Sequence, residues 1–420
     1  MTTRHHWVHA TGWAHLALVG LVLLLGLPLA TASAAARAAD GTPSAGEKKE
    51  AADEGRLQEM LERAPTIPLG ADVLLLATYA DVAAQIAAVG VVQPRGPQDE
   101  SFGEWARATL PLALPSAIVQ HARDPLWRET FGFDLFQVDQ SLEVGEPPLV
   151  TTFLRGRFDE RELRAAWEHS GYQAVDVDGT TAASLFEGPE IDLDSDVSRL
   201  ALARLNNAAI LDDGTLVFAS SLDAIREVLR VASGDEPSLA SRPGVAELLD
   251  AVSPLASALL VDGSALAGTA PLETLIGADG DVDAAATAIA AQIAESGRMP
   301  PVRLALLGAT PGGPIPTRLD GVEAPAPPAD QARLRFQLAL LMADADAAAT
   351  AVPVVEERLR TGQSLVSRRT YAELFPVAEQ RVEAIEGTPV LLVDLGLGDE
   401  TPINIWVQML FTRDLAFVGW

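Results

Sequence analysis

The feature that most narrows the folds open to this chain is its density of short strands joined by tight turns. Asp213-Gly214 separates the apolar runs 208–211 and 215–219, Asp178-Gly179 separates 172–177 from 182–186, and Glu386-Gly387 separates 381–385 from 390–395. Turns of this kind need positive φ at their centre, which Gly and, less readily, Asp supply, so they read as antiparallel hairpins. Helical spacing is rarer but well signed. Asp159 can cap a helix that carries Leu163, Ala166 and Trp167 on one face and stops at Gly171. Ser220 or Ser221 can cap a second, with Ile225, Val228, Leu229 and Ala232 on its apolar face and Gly234 at its end.

The order of these signals occurs twice. A strand over 133–144, Pro147-Pro148, a strand over 149–155, the helix over 159–170 and two hairpins make the first instance. The second runs from a strand at 302–309 through a Pro-rich loop at 310–330 to a strand at 334–342. A helix at 345–360, interrupted by Pro353, and hairpins within 381–395 and 403–418 complete it. Residue identity between the two is negligible, so the match is one of pattern. Hairpins outnumber crossovers, which favours α+β over a doubly wound parallel sheet. The expectation is two related subdomains, 57–253 and 254–420, divided near Pro254. Each is a mainly antiparallel sheet with helices on one face.

Residues 1–38 read as an export signal. Arg4, His5 and His6 precede an apolar core from Leu16 to Leu27, Pro28 ends it, and small residues follow in Ala32-Ser33-Ala34 and Ala36-Arg37-Ala38. About 20 apolar and small residues also suffice for an uncleaved membrane anchor. Either way, the positive residues ahead of the core place the rest of the chain outside the cytoplasmic membrane: secreted, periplasmic or tethered to its outer face. Residues 39–56 are polar and without periodicity, as in a flexible tether.

Composition removes several chemistries. No cysteine is present, so disulfides, thiolate metal sites and a Cys nucleophile are excluded. Lys48 and Lys49 are the only lysines and lie in the tether, so there is no P-loop Lys, Schiff-base Lys or Ser-x-x-Lys acylation site. Of six histidines only His121 and His169 lie beyond the signal, and neither H-E-x-x-H nor G-x-S-x-G occurs. The net charge is −28, and it becomes −30 once residues 1–38 are set aside. Such a surface repels nucleic acid and anionic headgroups, so the only membrane contact expected is through the N-terminal segment.

The remaining candidates are acidic. Asp192, Asp194 and Asp196 alternate as the start of a calcium loop does, and so do Asp279, Asp281 and Asp283. Neither completes an EF-hand, because Val197 and Ala284 stand where Gly is needed and Ala203 and Ala290 where Glu is needed. The competing reading is acids at helix N-termini, where the dipole favours them. His169 at a helix end and Trp167 on an apolar face have structural explanations of the same kind. No cofactor is expected beyond calcium at Asp192, Asp194 and Asp196.

The strand 215–219, the helix after it, and Ser238-Leu239-Ala240-Ser241-Arg242-Pro243-Gly244-Val245 resemble a pattern in uncharacterised exported bacterial proteins. The resemblance covers about 50 residues. It implies a repeated α+β extracytoplasmic domain and carries over no site residues. The export signal, the tether, the apparent duplication and the shortage of catalytic residue types point to a non-enzymatic binding or scaffold protein of the cell envelope, with a protein or small-molecule partner. The alternative is a carboxylate-dependent hydrolase, with or without a divalent cation.

Overall fold

Local chemistry sets the elements as expected in several places. Asp159 accepts from the amides of Arg161 and Glu162 and caps the helix Glu160–His169. Ser221 caps Leu222–Ser233, which Gly234 closes at φ 83°. Asp178 and Gly179 (φ 50° and 87°), and Glu386 and Gly387 (φ 50° and 84°), take the paired positive φ that a two-residue hairpin turn requires.

The structure is a computed structural model. It describes residues 56–66, 75–109, 116–146, 149–252, 254–266, 282–311, 334–364, 367–396, 409, 414–415 and 417–419. The expected signal, Pro147-Pro148, most of the Pro-rich loop and the strand expected at 403–411, Met409 apart, lie outside the described residues. No helix among the described residues is long and apolar enough to cross a membrane.

The first half contains α1 (Arg56–Leu61), β1 (Leu76–Asp81), α2 (Val82–Val89), α3 (Phe102–Thr109), α4 (Ser116–Gln120) and α5 (Pro125–Phe131). It continues with β2 (Val138–Glu146), β3 (Leu149–Gly156), α6 (Glu160–His169), β4 (Gln173–Val177), β5 (Thr180–Ser184) and α7 (Asp196–Ala201). Next come β6 (Asn207–Ile210), β7 (Leu216–Ala219), α8 (Leu222–Ser233) and α9 (Val245–Ala251). The second half has β8 (Ser257–Asp262), α10 (Gly263–Leu266), α11 (Val282–Ser296), β9 (Val302–Pro311), β10 (Leu334–Met342), α12 (Ala345–Thr361), α13 (Tyr371–Leu374), β11 (Val377–Ile385) and β12 (Thr388–Gly396).

The chain is α+β, built on one 12-stranded sheet in the order β11-β12-β10-β9-β8-β1-β2-β3-β7-β6-β5-β4. Every pairing between its strands is antiparallel. The expected division near Pro254 falls just before β8, and the β1–β8 pairing carries the sheet across it. Residues 53–420 accordingly form one compact unit.

Helices cover both faces, which corrects the expectation of helices on one face. Alternate residues of one strand enter different cores. Leu304, Leu306, Ala339, Leu341, Val390 and Leu392 pack with Met60 of α1, Ile225 of α8 and Leu248 of α9. Their neighbours Ala305, Leu307, Leu338, Leu340, Leu391 and Val393 pack with Ala351 and Val355 of α12 and Tyr371 of α13. Over the first half that second face belongs to a core built from Trp105, Trp127, Phe131, Trp167 and Phe218. Strands buried on both faces cannot alternate with polar residues, and so they read as continuous apolar runs.

Pro353 does not interrupt α12, which continues to Thr361. Both Pro353 and Ala349, whose carbonyl loses its partner, are exposed, so the freed acceptor is open to solvent.

Candidate functional site

The central strands end alike. Asp81 closes β1 and Asp262 closes β8. The Asp81 amide donates to Ala256 O (2.9 Å), and the Asp262 amide to Leu75 O (3.3 Å). Each carboxylate also takes an arginine: Arg56 of α1 donates to Asp81 at 3.1 Å, and Arg242 donates to Asp262. Asp81 further caps α2 through the amide of Ala84, while Asp262 accepts from the amide of Leu75 at 2.7 Å. Gln140 donates to the phenol oxygen of Tyr79 at 3.0 Å beside Asp81, and burial pushes the Tyr79 phenol up.

On the opposite face the sheet is less completely covered at the middle. Register puts Leu307, Leu259, Thr78, Glu143, Thr152 and Phe218 in one row across β9, β8, β1, β2, β3 and β7. Leu307, Thr152 and Phe218 are fully buried, whereas Leu259, Thr78 and Glu143 are half-buried. The cover over the β8–β1–β2 seam is therefore thinner than over its flanks, among the described residues.

Glu143 is the chemistry-bearing side chain in that row. Thr152 Oγ1 donates to its carboxylate at 3.4 Å, and Arg204, which follows α7, lies 3.8 Å away. Both charged side chains are mostly buried, at 20% and 17% exposure. Burial holds the Glu143 carboxyl above its ordinary range, and Arg204 and Thr152 pull it partly back. The Ser141 hydroxyl, on the same face one step along β2, is buried without a hydrogen-bond partner among the described residues. A half-open floor with an acid, a guanidinium and hydroxyls can hold a polar ligand by charge and hydrogen bonds.

The acids singled out by sequence do different work. The Asp192 carboxylate accepts from the amide of Asp194 at 3.0 Å, and Asp196, in the first turn of α7, pairs with Arg199. Asp192 and Asp194 are exposed and Asp196 is partly so, and no group of three or more His, Asp or Glu that could hold a metal occurs among the described residues. Asp283 lies in the first turn of α11; Asp279 and Asp281 fall outside the described residues. His121 stacks on Trp127 at 6.0 Å, with Nδ1 3.8 Å from Asp124, and His169 occupies the last turn of α6. Trp167 is buried in the core, as its helical position suggests.

Sequence reasoning missed Glu143 and Arg204. Leu142 and Val144 are buried on either side of Glu143, and simple alternation sends a residue between two buried ones to solvent. The only usable signal was the continuous burial of the neighbouring strands, which leaves a charged residue on either face needing a partner. No protein family matches the chain, and neither a curated protein nor a solved structure matches it.

Proposed function

We propose that this chain is an extracytoplasmic protein, secreted, periplasmic or tethered to the outer face of the cytoplasmic membrane, that binds a partner or ligand and does not convert one. The export-type N-terminus and the polar stretch behind it support the location. The half-open row at Thr78 and Glu143 carries the binding reading. A guanidinium, not a second carboxyl, stands beside Glu143, which weighs against a carboxylate-pair hydrolase. We further propose that 57–253 and 254–420 are related halves. The matched bonds of Asp81 and Asp262 support this, and they suit the repeated domain implied by the resemblance to exported bacterial proteins.

The test is made in cells. Alkaline phosphatase fused after Trp420 is expected to be active, because that enzyme folds only in an oxidising compartment. A photo-crosslinking residue at Thr78 is expected to give an adduct that one at Thr350, exposed on α12, does not. Glu143→Gln should remove the adduct. A silent phosphatase overturns the location, and equal labelling from Thr78 and Thr350 overturns the binding site.

A further inference from the structure

The segment between β5 and β6 holds apolar side chains out in water on a rigid frame. Ile191, Leu193 and Leu202 are 39%, 66% and 43% exposed. The frame is well tied. Asn206, fully buried, donates to the carbonyls of Gly188 (3.1 Å) and Glu190 (2.8 Å). Ser198, also fully buried, accepts from the amide of Asp192 at 3.1 Å. Leu202 sits at φ 54° and ψ −131°, a conformation that side-chain-bearing residues rarely adopt. Its neighbours Ala201 and Ala203 are both buried, so the strained backbone leaves the leucine facing solvent between two anchored alanines.

Charge indicates what covers these side chains. Glu187, Glu190, Asp192, Asp194 and Asp196 lie in the same stretch and are exposed or nearly so. Its two arginines are engaged, Arg199 with Asp196 and Arg204 with Glu143. An anionic lipid surface is repelled by such a run of acids, and so is a second copy of a chain that carries −28. A partner that offers apolar side chains between arginines or lysines satisfies both features, burying the leucines and neutralising the rim.

We propose that Ile191, Leu193 and Leu202, with the acids around them, form a docking surface for a basic, amphipathic segment of a partner protein. This rests on the reading of the chain as a binding protein and assigns it a surface separate from the Glu143 row.

The experiment uses the full chain in a neutral detergent, with micelles alone as blank. The probe is a short labelled peptide of alternating leucine and arginine, and serine/arginine and leucine/glutamate peptides serve as comparisons. Anisotropy is expected to show the leucine/arginine peptide bound, and bound about tenfold or more weakly by the Leu193→Ser/Leu202→Gly double variant. Leu202→Gly alone relieves the positive φ, so its melting temperature should equal or exceed the wild type's while it still loses affinity. That separates a lost contact from a lost fold. The Leu193→Ser/Leu202→Gly variant should still give the Thr78 crosslink, so failure of the Glu143 site and failure of this surface read separately. Equal affinity of wild type and double variant overturns the proposal, as does equal binding of the serine/arginine peptide, because charge alone then explains the contact. A wild type that dimerises in sedimentation while Leu202→Gly stays monomeric also overturns it, since a second copy would then cover the loop.

Discussion

Arg358 is the side chain whose loss the structure penalises most specifically. It lies on α12 with no exposure, and it gathers three parts of the chain. Its Nε donates to Ser296 Oγ at 2.9 Å and its Nη2 to Gly297 O at 2.7 Å, both at the end of α11, while Nη1 donates to Gly419 O at the chain terminus. Burial pushes its titration down, and the proximity of Tyr371 partly opposes this. Arg358→Met preserves the volume of the stem and removes the donors. Gly297 and Ser296 reach solvent and can rehydrate, at about 0.5–1 kcal/mol each. Gly419 is buried, and leaving its carbonyl without a donor costs about 1–3 kcal/mol. Taking a guanidinium out of the interior returns part of this. The net expectation is about 3 kcal/mol. With an unfolding entropy of about 2.1 cal/mol/K per residue, that lowers Tm by roughly 4 °C for a unit the size of residues 53–420. Calorimetry measures the shift, and hydrogen exchange should show faster exchange of the Val418 amide, which donates to Leu415 O. Arg358→Lys should recover only part of the loss, because an ammonium cannot span three acceptors in fork geometry. A Met variant within about 0.5 kcal/mol of wild type, with Val418 unchanged, would refute the argument.

Glu143→Gln should alter the pH dependence of stability. A carboxyl held above its ordinary range binds its proton more tightly folded than unfolded, so the wild type gains stability as pH falls through the raised value toward the unfolded one near 4.5. The Gln variant should lack that gain in melts across the mildly acidic range, and an unchanged profile would mean that Glu143 is not buried as described. Calcium, compared with sodium chloride at matched ionic strength, should shift the melting temperature no further than sodium does, because Asp196 is paired with Arg199 and Asp192 accepts from a backbone amide. A larger calcium shift, abolished by Asp194→Asn, would restore the acidic run as an ion site. Gly308→Ala should cost about 1–3 kcal/mol in denaturant unfolding, since an added Cβ would stand 2.4 Å from Ser257 O within the β8–β9 ladder.

Much of the local structure was legible in the sequence, because caps and turns are decided by a few residues. The Asp159 and Ser221 caps and the Glu386-Gly387 turn belong to this class. The layer arrangement was harder to read. Hairpin counting identified antiparallel pairing but was silent on whether one face or two is covered, and that information lay in runs such as Leu338 to Met342 and Val390 to Val393, which have no polar alternation. Glu143 was hidden for the same reason, since its place between Leu142 and Val144 signals solvent only if one face is bare. Leu202 could not be found at all. Its exposure goes with a positive φ between buried Ala201 and Ala203, a combination with no local signature.

The two faces of the central seam divide the work between fixing and receiving. On one face, the Arg56–Asp81 and Arg242–Asp262 pairs hold the ends of β1 and β8 to the elements packed above them. The reciprocal bonds from the Asp81 amide to Ala256 and from the Asp262 amide to Leu75 resist sliding of one strand along the other. A slip of one residue would send every side chain of β1 to the wrong face, so this clamping protects the register in which Thr78 lies between Leu259 and Glu143. On the other face that same row is only partly covered. A receiving surface on clamped strands keeps its groups in place without a ligand's help, which lowers the ordering cost of binding. The geometry thus places a clamped pair of strands beneath a partly uncovered row, as a preformed binding floor requires.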